Sequence, residues 1–373
     1  MAILEYLIDK EQQILDDLEE LVRHESPTFQ KELVNQCAAY IKELFFERLG
    51  VHGEIFANDQ NGDHLKFEIG EGEEKVLILA HYDTVWEQGK LSYRIDSGKA
   101  FGPGIMDMKG GIIQGLWALK ALKDTGLRPA KKVVFLLTSD EEQLSPTSRE
   151  LIESEAESCK YVLVVEPPAG KSGSLKTARK GAGQYRITSH GVSSHAGNNP
   201  NSEASAIHEI VHQIVRLEGL ADEEQGTTIN AGVITGGTMS NVVAERAVTE
   251  VDVRFYTEKE ARRIDEKIKN LTPILKETDI IVTGGINRPP MEKTEESVKL
   301  YKLAEESAKE LGFNISGTSV GGVSDGNFTA AIGVPTLDGL GAAGDGPHAL
   351  HEHIIIEELP KRTALIARLL LKL

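Results

Sequence analysis

Three short apolar runs, Val76-Leu77-Ile78-Leu79-Ala80, Val133-Val134-Phe135-Leu136-Leu137 and Tyr161-Val162-Leu163-Val164-Val165, show no alternation of apolar and polar residues. A strand with one wet face alternates, so runs of this kind read as parallel strands covered on both sides. Between the first two lies Gly110 to Lys123, whose apolar positions recur at helical spacing. The resulting β-α-β rhythm predicts an α/β fold: a mostly parallel central sheet flanked by helices.

From about Thr177 the texture changes. Tyr185 to His190 alternates, Ala204 to Leu217 reads as a helix, and Thr227 to Ile234 and Val243 to Phe255 read as half-buried strands. Thr257 to Asn270 is a second helix and Ile280 to Thr283 a last strand. The order β-α-β-β-α-β is that of a small ferredoxin-like α+β domain with one sheet face open to a partner. Arg288-Pro289-Pro290 reads as a linker, followed by a helix over Glu295 to Leu311, glycine-rich loops with short strands, and a final helix to Leu373. The chain has 373 residues, which at about 150 per domain suggests two to three domains. The expected division is 1–175 and 288–373 as one discontinuous domain, with 176–287 inserted into it.

With 58 acidic against 41 basic residues the net charge is −17, which works against binding nucleic acid or an anionic membrane. Cys37 and Cys159 cannot build a disulfide framework and lack the close Cys or His companions of a structural zinc site, so both are expected to be reduced and buried. Met1 to Arg23 mixes Leu, Ile, Asp and Glu at helical spacing, and no apolar run approaches a membrane span. Cytoplasm is the expected location.

The chemistry gathers at the C-terminal ends of the apolar runs, the edge where open α/β sheets bind ligands. Ala80-His81-Tyr82-Asp83 follows the first, Ser139-Asp140-Glu141-Glu142 ends the second and Glu166-Pro167-Pro168 the third, while Gly102 to Gly111, with Asp107 inside it, leads into the helix. Carboxylates collected at one buried edge repel each other unless a cation neutralises them. Imidazole and carboxylate donors without thiolate suit Zn2+, Mn2+ or Co2+. A second histidine should complete the set, from among His348, His351 and His353; spacing does not choose, and the other two are expected to be ordinary surface histidines.

These segments, together with Ser193-Ser194-His195-Ala196-Gly197, Asn241-Val242-Val243 and Gly339 to His348, resemble the dinuclear zinc hydrolases that include glutamate carboxypeptidase, acetylornithine deacetylase, succinyl-diaminopimelate desuccinylase, aminoacylase and several dipeptidases. The resemblance covers nearly the whole chain in order. It implies a zinc-exopeptidase-like catalytic domain with an inserted lid and dimerisation domain, and two Zn2+ per chain, with Co2+ or Mn2+ fitting the same donors. His81, Asp107 and Glu166 would hold one ion and Asp107, Glu142 and His348 the other, with Glu352 placing His348 in the family register. The chain departs from the family at Gly344-Asp345-Gly346-Pro347, where Gly-Gly-Gly-Ala is usual.

Roles follow from there. Glu141 is the expected general base, and Asp83 the partner that fixes the His81 tautomer. His195 would stabilise the oxyanion, in the family often from the other subunit of a homodimer. Arg254 is the candidate clamp for a free carboxylate, its alternative being a pair with a neighbouring acid; Asn241 would face the substrate, and Gly322 would allow close backbone approach. Glu166 resembles the branch of glutamate carboxypeptidase, acetylornithine and succinyl-diaminopimelate enzymes, where dipeptidases of the tripeptidase and carnosinase type tend to have Asp, and the Asp-Met-Lys-Gly-Gly and lid motifs most resemble glutamate carboxypeptidase. That likeness implies hydrolysis of the amide of a C-terminal residue, possibly glutamate, in a short peptide or N-acyl amino acid. A deacylase of the aminoacylase or acetylornithine type, or a dipeptidase, would share the metal chemistry. A non-catalytic binding relative would lack Glu141 or a ligand, and all are present.

Overall fold

The computed structural model describes residues 2–170, 172–201 and 204–373. Helices α1 (Ala2–Asp9), α2 (Glu11–Arg23) and α3 (Lys31–Leu49) precede strands β1 (Glu54–Phe56), β2 (His64–Ile69) and β3 (Lys75–His81). The hairpin β4 (Arg94–Asp96) and β5 (Lys99–Phe101) leads to a wide turn, Ile105–Lys109, that runs into α4 (Gly110–Asp124). Next come β6 (Lys132–Thr138), α5 (Arg149–Glu157), β7 (Tyr161–Val164) and β8 (Leu175–Arg179). Then follow β9 (Gly181–His190), α6 (Ala206–Glu218), β10 (Thr228–Gly236), β11 (Arg246–Phe255), α7 (Glu258–Lys269) and β12 (Asp279–Arg288). The tail holds α8 (Glu295–Glu310), β13 (Gly317–Val320), α9 (Gly326–Ala331), β14 (Thr336–Leu337), β15 (Gly344–Asp345), β16 (His353–Ile355) and α10 (Leu359–Lys372).

The chain divides into two units, Met1–Ala178 with Lys293–Val320 and Ser324–Leu373, and Arg179–Glu292 with Gly321–Val323. In the first, a six-stranded sheet runs β1-β2-β6-β3-β7-β14, with β6, β3, β7 and β14 parallel. The absence of alternation has its cause here. Val76, Ile78 and Ala80 enter one apolar cluster with α4 and α10, while Leu77 and Leu79 enter another beneath α5 and α9. Both faces of β3 are covered, so both must be apolar. At the end of β7 two close approaches demand glycine: a Cβ on Gly111 would lie 1.9 Å from the Val165 carbonyl oxygen, and one on Gly341 2.1 Å from the same atom. They let the start of α4 and the loop after β14 press against the strand end.

The second unit is an antiparallel sheet of order β10-β11-β9-β12. That is the ferredoxin-like arrangement, and Ile187, Ile210, Val251, Val253, Ile264 and Ile268 form its core with α6 and α7.

Several expectations change. Arg288 is part of the sheet rather than of a linker: it is fully buried and pairs in register with Ala182 at the end of β12, which therefore extends beyond Thr283. Strand β11 begins at Arg246 rather than Val243, because the preceding residues pair elsewhere, Val243 N–H donating to Ser194 O and Ala196 N–H to Asn241 O. His353 is buried beside Phe101 rather than lying on the surface.

Candidate metal centre

Each parallel strand delivers acid or imidazole at its C-terminal end. His81 closes β3, Glu142 sits in the single turn Glu141–Gln143 after β6, and Glu166 follows β7. Asp107 is carried by the wide turn ahead of α4, and His348 by the loop between β15 and β16.

These five side chains meet. His81 Nε2 lies 3.2 Å from Asp107 Oδ1 and 3.5 Å from Glu166 Oε1. His348 Nε2 lies 3.2 Å from Glu142 Oε1 and 3.4 Å from Asp107 Oδ2. Asp107 thus presents one oxygen to each histidine. Ligand atoms of His81, Asp107 and Glu142 all fall within 4.8 Å of one another. His81 is buried, whereas His348 is half exposed, so the cluster opens to solvent on one side. His351 and His353 stay apart from it: His353 Nδ1 bonds the His351 carbonyl.

The charges in the cluster cannot rest as they are. Burial pushes the His81 imidazole down, but Asp107, Asp83 and Glu166 outweigh it and hold the ring protonated well above its ordinary value. Asp107 and Glu142 raise His348 to about 11. Burial, with the neighbouring Asp107, lifts Glu142 to about 7 even against His348. Asp107 goes the other way: burial alone would raise it, and the two histidines hold it far below the carboxylate range. The carboxylates of Asp83, Asp107, Glu142 and Glu166 thus recruit two imidazolium protons, and divalent cations would take over that neutralising part. The donor set, nitrogen and oxygen with no thiolate, fits zinc, cobalt or manganese.

Asp83 is fully buried. Its Oδ1 is 3.4 Å from His81 Nδ1, whose nearest partner is the Asp83 backbone carbonyl at 3.0 Å, and its two oxygens accept the N–H groups of Glu141 and Glu142. Glu141 is half-buried beside Glu142. A cavity of about 230 Å³ adjoins the cluster, lined among others by Asp107, Glu166, Pro168, Lys176, Asp345 and Pro347.

The remaining sequence candidates lie in the second unit. His195 Nδ1 accepts the N–H groups of Gly197 and Asn198, which leaves the proton on Nε2 and makes that atom a donor. The His195 and Asn241 segments are bridged, His195 pairing with Val242. Arg254 forms a two-pronged pair with Asp252, Nε to Oδ1 at 2.8 Å and Nη2 to Oδ2 at 2.9 Å, which is the alternative weighed for it. The Gly322 carbonyl accepts from Arg179, and a Cβ on Gly322 would meet only that guanidinium, at 3.9 Å.

Three supporting residues escaped sequence reasoning. Buried Lys109 donates to the carbonyls of Leu21 and His24, fastening the Asp107 turn to α2. Arg362, buried in α10, donates to the carbonyls of Gly339, Gly341 and Gly173. Burial of that cation depresses it to about 10. Asp325 accepts from Thr138 and Ser145 beneath the Glu141 turn. Lys109 stands inside a recognisable motif and could have been suspected; Arg362 and Asp325 carry no local signal.

Residues 77–372 match the sequence profile of peptidase family M20/M25/M40. Carboxypeptidase G2 of Pseudomonas sp. (strain RS-16) is 30% identical over 379 residues, spanning 98% of this chain and 90% of its own. Succinyl-diaminopimelate desuccinylase of Paracidovorax citrulli (strain AAC00-1) is 26% identical over 307 residues, 76% of this chain and 77% of its own. Among solved structures, the YXEP protein of Bacillus subtilis, described as a dinuclear metal binding peptidase from the M20 family, shares the fold with a TM-score of 0.72 at 14% identity, covering 97% of this chain and 98% of that one.

Proposed function

The chain belongs to peptidase family M20/M25/M40 and is a metal-dependent hydrolase of that family; from this premise we propose that it hydrolyses the amide bond of a C-terminal amino acid, glutamate foremost, in short peptides or N-acyl amino acids. The observation that carries the proposal is the meeting of His81, Asp107, Glu142, Glu166 and His348, with Glu141 next to Glu142 in the chain. His81, Asp107 and Glu166 would hold one ion and Asp107, Glu142 and His348 a second, zinc by preference. Bound there, divalent cations lower the pKa of water and polarise a carbonyl.

The protein supplies the rest. Glu141 accepts the proton of the attacking water and returns it to the departing amine. Asp83 holds the His81 ring and the Glu141 turn. His195 donates from Nε2 to the developing oxyanion, Asn241 bonds the substrate, and Arg254 exchanges Asp252 for the substrate carboxylate.

The 26% relative that is a desuccinylase supports deacylation of N-acyl amino acids as a second reading. We further propose a homodimer formed through the inserted unit, where β10 is an edge strand and Val211 and Val215 of α6 are exposed. A cytoplasmic location is supported by two cysteines that form no disulfide. Among the described residues no helix is long and apolar enough to cross a membrane.

The test is metal analysis of protein purified without chelator, followed by a hydrolysis screen over acyl-glutamates, other N-acyl amino acids and dipeptides with zinc and with manganese. Two transition-metal ions per chain and fastest release of C-terminal glutamate are expected. Fewer than one ion per chain would overturn the proposal; preference for small acyl groups whatever the amino acid would favour the deacylase.

A further inference from the structure

The hydrolytic scheme leaves unused the one buried acid among the described residues after Asp338, namely Glu352. Glu352 stands four residues after His348 and is 1% exposed. Its Oε1 accepts the backbone N–H groups of Met106 and Asp107 at 2.9 and 3.1 Å. Its Oε2 accepts Trp86 Nε1–H at 2.6 Å and the N–H of Gly104 at 3.2 Å. Two of these four donors belong to the turn that presents Asp107, and a third, Gly104, immediately precedes it.

The segment bearing Glu352 also bears His348. Asp345 pairs with His353 in the β15–β16 ladder, so residues 346–352 form a loop closed at its base. His348 takes a left-handed φ of 61° within that loop, and Glu352 sits at its foot, its N–H bonded to the Ala349 carbonyl. One carboxylate therefore joins two chain segments about 245 residues apart, each carrying a ligand candidate whose ligand atoms lie 3.4 Å from each other.

We propose that Glu352 is a positioning residue that locks the Asp107 turn to the His348 loop and so sets the site formed by Asp107, Glu142 and His348. The site formed by His81, Asp107 and Glu166 depends on Glu352 through Asp107 alone, so the two sites should respond unequally to its loss. This rests on the dinuclear reading above.

Glutamine is the sharp substitution. It keeps the shape of glutamate but has one acceptor oxygen, and its NH2 must face either the N–H pair of Met106 and Asp107 or the pair from Trp86 and Gly104. Donor would then oppose donor in a buried space.

The experiment titrates Zn2+ into metal-free protein against a competing chelator and reads two dissociation constants, with thermal midpoint and circular dichroism as folding controls. Wild-type protein is expected to take two ions. In Glu352→Gln one affinity should fall about 10- to 100-fold while the other changes much less. Trp86→Phe removes one of the four donors but keeps a ring in place, and should show a smaller loss at the same ion. If both affinities of folded Glu352→Gln are unchanged, or fall by the same factor, the inference is overturned; should that variant not fold, the same criterion applies to Trp86→Phe. Uptake of only one ion by wild-type protein overturns the dinuclear reading and the inference with it, an outcome seen before any variant is made.

Discussion

The carboxylate of Asp83 stands 3.4 Å from His81 Nδ1 while its two oxygens accept the backbone N–H groups of Glu141 and Glu142, each at 3.2 Å. One fully buried acid thus orients the ring that offers Nε2 to Asp107 and holds the turn that presents both glutamates. Asp83→Asn keeps a single acceptor oxygen, and its NH2 must oppose one of those N–H groups. Metal affinity should fall about 10- to 100-fold, read by chelator competition. Unchanged affinity would remove Asp83 from the support of the centre.

Neighbouring glutamates should fail in opposite ways. Glu142 Oε1 lies 3.2 Å from His348 Nε2, within the cluster, so Glu142→Ala should lower metal content. Glu141→Ala should leave metal content normal and lower kcat by about 10²- to 10⁴-fold, the usual contribution of a positioned general base. A mild effect on kcat would reassign proton transfer to another group.

Arg254 already has a partner, and the question is whether it exchanges it. Its pair with Asp252 is partly exposed, so that contact is worth about 0–1 kcal/mol and a substrate carboxylate can displace it. Arg254→Ala should raise KM for free-acid substrates by at least about tenfold, the scale of one charge-assisted bidentate contact, and leave their C-terminal amides little affected. Equal losses on acid and amide would confine Arg254 to its strand pair.

His195 is poised as a donor because Gly197 and Asn198 N–H groups occupy its Nδ1. If Nε2 serves the oxyanion, His195→Ala should cost about 10²- to 10³-fold in kcat with a small change in KM. A change confined to KM would instead make it a ground-state binding group.

What the sequence made legible follows from how local each cause is. Strands β3, β6 and β7 were readable because burial on both faces leaves a signal in consecutive residues, Leu77 turning to one cluster and Ile78 to the other. His81, Asp107, Glu142 and Glu166 could be placed at one edge because each directly follows or precedes such an element. His348 needed family resemblance: its loop is a departure from the usual pattern, and only the three-dimensional path brings Nε2 to Glu142. The role of Glu352, the burial of Arg288 and the carbonyl clamp of Arg362 are consequences of contacts far apart in sequence, which no local pattern records. Strands of two or three residues such as β14, β15 and β16 are too short to show a period.

The inserted unit carries its own pH dependence through Glu209, a fully buried acid on α6. Its oxygens accept the N–H groups of Ile274 and Leu275, the Thr278 hydroxyl and the Gln213 amide. Burial alone would raise this carboxyl; these donors outweigh it and hold the group below the ordinary carboxylate range. A depressed folded-state pKa means the charged form is favoured by folding, so the contribution is complete above the unfolded value of about 4.3 and is lost as pH falls through the folded value. Glu209→Gln should therefore cost about 1–3 kcal/mol at pH 7, since its NH2 cannot accept from Leu275 or Ile274. In thermal melts the gap between wild type and variant should be constant from pH 7 to about 5 and shrink below about 4, as wild type protonates and the variant does not. A gap that persists unchanged into acid would mean that the shape of the side chain, and not its charge, holds the Ile274 to Thr278 loop against α6.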